Sequence, residues 1–193
     1  MFKGKQELDL TDGDIKSSLL HLSTPIIIIN LLRMAYNLAD TFWLGKLSKE
    51  ALAAIGFGFP LIFLFVSLGM GLAVAGSVLV AQYEGSGNKK MVNFSASQTM
   101  TFSFIASFLL GLVGYMFADE LLVVYGASEV VQGLAFSYLR IIFLGISSMF
   151  GFAVFIALMR GYGDTRTPLF VMFGSIVLNI ILDPFLIFGW SFF

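Results

Sequence analysis

Five long apolar stretches dominate the sequence, and charged or turn-forming residues separate them. Their approximate limits are 22–44, 53–81, 95–118, 131–158 and 168–190. A helix that crosses the hydrocarbon core of a bilayer needs about 20 mostly apolar residues, and every stretch reaches that length. The pattern predicts an all-α membrane protein with about five transmembrane helices within 21–193, preceded by a polar segment at 1–20.

The composition agrees with this class. Hydrophobic residues make up 58% of the 193 residues and charged residues 12%, and the mean hydropathy is +0.92. Soluble domains are only about 45–50% apolar. We therefore expect a multi-pass protein of the plasma membrane, with the lipid bilayer as its surroundings.

The distribution of Lys and Arg predicts the orientation, because positive residues are retained on the cytoplasmic side of a membrane. With a cytoplasmic N-terminus, seven basic residues near the stretches lie inside and two lie outside. The inside set is Lys3, Lys5, Lys16, Lys89, Lys90, Arg160 and Arg166, and the outside set is Lys46 and Lys49. The segment DELLVVYGASE is acidic, as an outside loop should be.

A polar stripe follows the first predicted helix. Asn30, Arg33, Asn37 and Asp40 succeed one another at steps of three, four and three residues, so they share one helix face. Lipid cannot satisfy these groups, and we expect the stripe to face a bundle interior or a water-filled cavity.

The fifth predicted helix carries a second stripe, with Ser175, Asn179 and Asp183 at steps of four. Asp40 lies 17 residues after Ser23, and Asp183 lies 17 residues after Arg166. Each Asp is therefore about 25 Å from the cytoplasmic side at about 1.5 Å per residue. Both helices run in the same direction, so the two carboxylates are predicted to form one site.

An intramembrane carboxylate costs about 2.5–3.5 kcal/mol and indicates a functional site. The alternative is a polar clamp between the first and fifth helices that binds nothing. Two carboxylates repel each other unless a proton, a cation such as Na⁺ or a base lies between them. Arg33 could be such a base. Tyr138 and Arg140 in the fourth helix either contact the same cavity or point outward.

Several chemistries are absent from the sequence. It contains no Cys, and it shows no nucleophile with a partnered base, no cluster of metal ligands and no cofactor loop. We therefore expect a protein that is not an enzyme, that needs no cofactor beyond H⁺ or Na⁺, and that has no nucleic-acid partner.

Three runs of the sequence resemble the amino-terminal half of the multidrug and toxic compound extrusion (MATE) transporters. They are YNLADTFWLGKLSKEALAAIGFGFP, ALMRGYGDTRTP and LNIILDPFLIFG. The resemblance implies the N-lobe of a twelve-helix antiporter with two six-helix lobes. Such an antiporter exports small organic compounds, often cationic, in exchange for H⁺ or Na⁺.

The resemblance also implies roles for individual residues. Asp40, Asp183 and Asn179 match the proton or cation site of the N-lobe, where Na⁺ could bind. Tyr138 matches a tyrosine of that site, and Pro25 matches a proline at which the first helix can bend. The polar stripe itself, and not the resemblance, makes Asn37, Asn30 and Arg33 the supporting polar residues of this site.

The sequence departs from the family pattern in three respects. It lacks the sixth helix and the second lobe, it has Arg33 where relatives more often have a neutral polar residue, and FAVFIALM lacks an amide found in some relatives. Alternating access needs two repeats that move against each other. We therefore expect a component of an efflux antiporter that is incomplete as this chain alone, with the missing sixth helix and C-lobe as partners if another chain supplies them.

Two alternatives remain open. One is a flippase for lipids or lipid-linked oligosaccharides, which Arg33 and Arg140 would favour. The other is a membrane scaffold that does not transport.

Overall fold

Six helices make up the computed structural model, which describes residues 15–124, 126 and 129–189. They are α1 (Ile15–Leu47), α2 (Lys49–Gly85), α3 (Lys89–Met116), α4 (Ala118–Val124), α5 (Glu129–Tyr162) and α6 (Arg166–Phe188). All except α4 are long and apolar enough to cross a membrane. The prediction of an all-α membrane protein with five transmembrane helices is confirmed.

The helices extend beyond the apolar stretches that predict them. α1 begins at Ile15, inside the segment 1–20 that we expected to precede the first helix, and α2 ends at Gly85. Hydropathy marks the part of a helix that lipid surrounds and does not mark its polar ends. Residues 1–14, with Lys3 and Lys5, lie outside the described residues.

The acidic segment after α3 is not a simple loop. Residues 118–124 form α4, whose buried Ala118 and Leu122 join the main hydrophobic core. Their spacing of four residues places both side chains on one helix face. These two turns of helix pack mainly against α5.

Side-chain caps fix the helix boundaries near the two short connections and after α5. Ser48 Oγ accepts a hydrogen bond from Ala51 N at 2.9 Å, and Asn88 Oδ1 accepts one from Met91 N at 3.2 Å. At the start of α6, Asp164 Oδ1 accepts hydrogen bonds from the backbone N–H groups of residues 166 and 167 at 3.0 and 2.9 Å. Caps of this kind satisfy donors that the helix itself leaves unpaired.

Helices α2, α3 and α5 pack closely and form what we call the three-helix unit. Glycines allow this close approach. A Cβ atom at Gly69 would collide with the ring of Phe150, and one at Gly111 would lie 2.7 Å from the carbonyl oxygen of Phe143. Small residues at such contacts are typical of helix packing in membranes.

Helices α1 and α6 pack against each other and form what we call the α1–α6 pair. Its core contains buried Ile29 from α1 with Met172 and Ile176 from α6. The contacts of this pair with the three-helix unit are less extensive than those inside the unit. The fold therefore places α1 and α6 side by side with their polar positions near one another.

Candidate site between α1, α6 and α5

The packing of α1 against α6 brings Asp40 and Asp183 together. Their carboxyl groups lie close enough to share a hydrogen bond. Asp183 is only 8% exposed, whereas Asp40 is partly buried. The equal depths calculated from the sequence thus correspond to neighbouring positions of the two side chains.

Asn179 holds the Asp183 carboxylate from one turn earlier on α6. Asn179 Nδ2 donates a hydrogen bond to Asp183 Oδ1 at 2.9 Å. Asp183 Oδ2 and Asn179 Oδ1 are both buried, and neither has a hydrogen-bond partner among the residues that the structure describes. A proton, a cation or an ordered water molecule beside the second carboxylate would satisfy these two buried oxygen atoms.

Two tyrosines complete the immediate surroundings. The side chain of Tyr36 interacts with Asp40, and Tyr138 lies near both residues. Gly58 on α2 provides space for Tyr138, because a Cβ atom there would be 3.2 Å from the ring. The site therefore combines two carboxylates, one amide and two phenol groups from three helices.

Sequence reasoning missed Tyr36. Tyr36 precedes Asp40 by four residues, a spacing that places both side chains on one helix face. The predicted stripe contains only amide and charged residues of α1. The spacing was the available signal.

The rest of the α1 stripe does not join the site. At about 100° per residue, Asp40 and Asn30 lie at opposite edges of the stripe, about 80° apart. Asp40 is at the edge that faces α6, whereas Asn30, Arg33 and Asn37 are exposed. The backbone carbonyl of Asn37 accepts a hydrogen bond from Thr41 Oγ1 at 2.7 Å.

Arg33 does not neutralise Asp40. No ion pair within 4.0 Å joins them in the described part of the chain, and the guanidinium of Arg33 lies near that of Arg160 instead. The structure therefore does not bring Arg33 into ion-pair distance of the two carboxylates. The two carboxylates face each other without a positive side chain between them.

Tyr138 and Arg140 point to different places. Tyr138 reaches the site, while the Arg140 guanidinium stacks over the rings of Phe136 and Tyr115, with centroids 4.1 and 4.8 Å away. Arg140 is also 20 residues from Arg160 on the same helix, about 30 Å along its axis. Arg33 and Arg140 therefore do not line one basic cavity.

Pro25 lies inside α1 and is buried. It removes a backbone hydrogen bond from the helix. Bending of α1 at this residue stays a prediction, as do the roles of the site residues in binding a proton or Na⁺.

Comparison with known proteins identifies a family of membrane transporters. The MatE family model matches residues 25–185. The structure resembles the outward-facing conformation of a multidrug resistance MATE family transporter, with a TM-score of 0.90 and 30% identity, over 99% of this chain and 42% of that one.

Two curated relatives agree with this family. The probable multidrug resistance protein YoeA of Bacillus subtilis is 32% identical over 86% of this chain and 36% of its own length. The FAD transporter of Shewanella oneidensis is 32% identical over 96% of this chain and 41% of its own length. The chain thus spans about two fifths of these relatives. It belongs to the MatE family and is a multi-pass membrane protein.

Proposed function

We propose that this chain forms the N-lobe of an antiporter that exports small organic compounds in exchange for H⁺ or Na⁺. The observation that carries the proposal is the contact between Asp40 and Asp183, together with the unpartnered oxygens of Asp183 and Asn179. Membership of the MatE family supports it, as do relatives that are named multidrug resistance proteins. In this proposal the N-terminus is cytoplasmic, and a sixth helix and a C-lobe complete the transporter.

The site supplies a physical basis for coupling. With neither proton nor cation bound, two carboxylates repel each other and favour separation of α1 from α6. A proton or a Na⁺ ion between them removes the repulsion and favours the packed arrangement. The packed and the separated arrangements of α1 and α6 bind the ion with different affinities. Ion binding therefore shifts the population of molecules towards the packed arrangement.

Substitution of each carboxylate tests the proposal. Cells that express a complete transporter with this chain as its N-lobe should lose gradient-driven efflux of a fluorescent organic cation when they carry Asp40→Asn or Asp183→Asn. The matched control is Asp119→Asn, which changes an exposed carboxylate on α4 and should preserve efflux. Membrane vesicles with an imposed pH gradient or an imposed Na⁺ gradient then identify the coupling ion. Full efflux by both site variants would refute the proposal.

A second candidate is the export of organic anions. The exposed guanidinium groups of Arg33 and Arg160 lie near each other and would suit a phosphate-bearing compound. A relative named FAD transporter is consistent with such a substrate. Competition between the fluorescent cation and FAD for efflux, before and after Arg33→Gln, distinguishes the two candidates.

A further inference from the structure

Arg140 is a positive residue within a transmembrane helix and outside the carboxylate site. The transmembrane part of α5 has 32 residues, Val131–Tyr162, so it is about 48 Å long and exceeds a hydrocarbon core of about 30 Å. With that excess divided equally between the two ends, the Cα atom of Arg140 lies about 5 Å inside the boundary of the hydrocarbon core nearest α4. An arginine side chain reaches the headgroup region from that depth by snorkelling.

The aromatic neighbours of Arg140 direct its side chain towards that surface. Phe136 is one turn nearer the start of α5, and Tyr115 is the last residue but one of α3. Their ring centroids are 4.1 and 4.8 Å from the guanidinium carbon. Stacking on these rings leaves the N–H groups at the edge of the guanidinium plane available for an oxygen ligand.

No protein group supplies that oxygen ligand within residues 15–124, 126 and 129–189. The guanidinium forms no ion pair there and donates no hydrogen bond to another side chain or carbonyl. A guanidinium near lipid chains carries an unfavourable desolvation cost, and the two rings provide no negative charge. An anionic ligand would offset this cost.

The surface around Arg140 indicates where the ligand comes from. The side chains of Ile141 and Leu144 follow on α5 and are 70% and 73% exposed, and Met116 beside Tyr115 is also exposed. This surface is apolar and suits acyl chains. A phospholipid has its phosphate above its acyl chains. The Arg140 guanidinium and the apolar helix face beside it have the matching arrangement, with the positive group nearer the membrane surface.

We propose that Arg140, stacked on Phe136 and Tyr115, binds the phosphate of a phospholipid in the leaflet nearest α4. In the proposed orientation this is the outer leaflet. The guanidinium donates two parallel N–H···O hydrogen bonds to phosphate oxygens, and the acyl chains lie along Ile141 and Leu144. The phosphate is the recognised group, so phospholipids with different headgroups bind.

Lipid binding to the purified 193-residue chain tests the proposal. Native mass spectrometry measures the retention of phosphatidylglycerol, of diacylglycerol with the same acyl chains, and of inorganic phosphate. We expect phosphatidylglycerol to bind at least tenfold more tightly than either of the other two compounds. Arg140→Gln should lower that affinity at least tenfold, which corresponds to about 1.4 kcal/mol, because it removes hydrogen bonds from a charged donor to the phosphate.

Two further variants keep the test decisive. Arg140→Lys preserves the charge and should reduce the affinity less than Arg140→Gln does. Lys49→Gln removes an exposed positive charge from the same side of the membrane and should leave phosphatidylglycerol binding unchanged. Circular dichroism and gel filtration establish that each variant is folded.

Three results would overturn the proposal. The first is equal retention of phosphatidylglycerol by the unchanged chain and Arg140→Gln. The second is equally tight binding of inorganic phosphate or diacylglycerol, which would indicate a free-anion site or acyl-chain packing alone. The third is an oligomer that depends on Arg140 and retains no lipid, which would indicate a carboxylate from another copy.

Discussion

The α1–α6 pair and the three-helix unit differ in what their contacts contain. The three-helix unit packs phenylalanines against glycines, such as Phe150 against Gly69, and the polar side chains buried in it are the uncharged ones of Ser95, Ser103 and Ser107. The α1–α6 pair has a small apolar core and places two carboxylates in contact. Packing so close that one added methyl group would clash resists deformation. An interaction between two carboxylates depends instead on bound protons and ions. We infer that the unit is a rigid support and that the pair is the part that responds.

The largest expected effect comes from breaking the core of the three-helix unit. Phe150 is 2% exposed and lies in its main cluster. Phe150→Ala should lower the free energy of unfolding by about 3 kcal/mol or more, because it removes many packing contacts. Phe170→Ala is the control, since Phe170 on α6 is 72% exposed. Unfolding in detergent measures both variants, and similar losses would contradict the contrast between the two regions.

An added methyl group should have a smaller effect. The Cβ atom of Gly111→Ala would lie 2.7 Å from the carbonyl oxygen of Phe143 and 2.7 Å from Ile146 Cγ2. Because the carbonyl belongs to a helix backbone and cannot rotate away, we expect a loss of about 1–3 kcal/mol.

Gly174→Ala on α6 is the matched control for Gly111→Ala. No atom lies within 4 Å of its Cβ position, so alanine should stabilise the helix by about 0.5–1 kcal/mol. Thermal unfolding of the two variants in the same detergent compares them directly. Equal shifts would show that close glycine contacts do not distinguish the three-helix unit.

The sequence predicts much of this architecture because hydropathy and helix period report directly on helices in lipid. Five apolar stretches were sufficient for the five long helices, and counting residues along parallel helices predicted that Asp40 and Asp183 lie at one depth. That calculation needs only the rise per residue and one common reference surface. It also explains why the two residues could be paired despite their separation in sequence.

Helix rotation and short elements were harder to predict. The stripe on α1 is about 80° wide, and nothing in its sequence shows which edge faces α6, so Arg33 remained a candidate partner for Asp40. α4 has too few residues for periodicity to distinguish it from a loop. The aromatic contacts of Arg140 involve Tyr115 on another helix, which no spacing within α5 could reveal.

The smallest expected change in stability is the one that separates a responsive site from a polar clamp. Asp183→Asn removes one of two facing charges and preserves the shape of the side chain. Because replacing buried charges is often neutral or stabilising, we expect a gain in unfolding free energy of between zero and about 1 kcal/mol.

Asp119→Asn, at an exposed position, gives the baseline for a change of charge alone. A structural clamp would behave differently, since a neutral amide oxygen accepts a weaker hydrogen bond from Asn179 than the carboxylate does, and stability would then fall by about 1 kcal/mol. Unchanged or increased stability combined with lost efflux would show that Asp183 serves transport at the expense of packing.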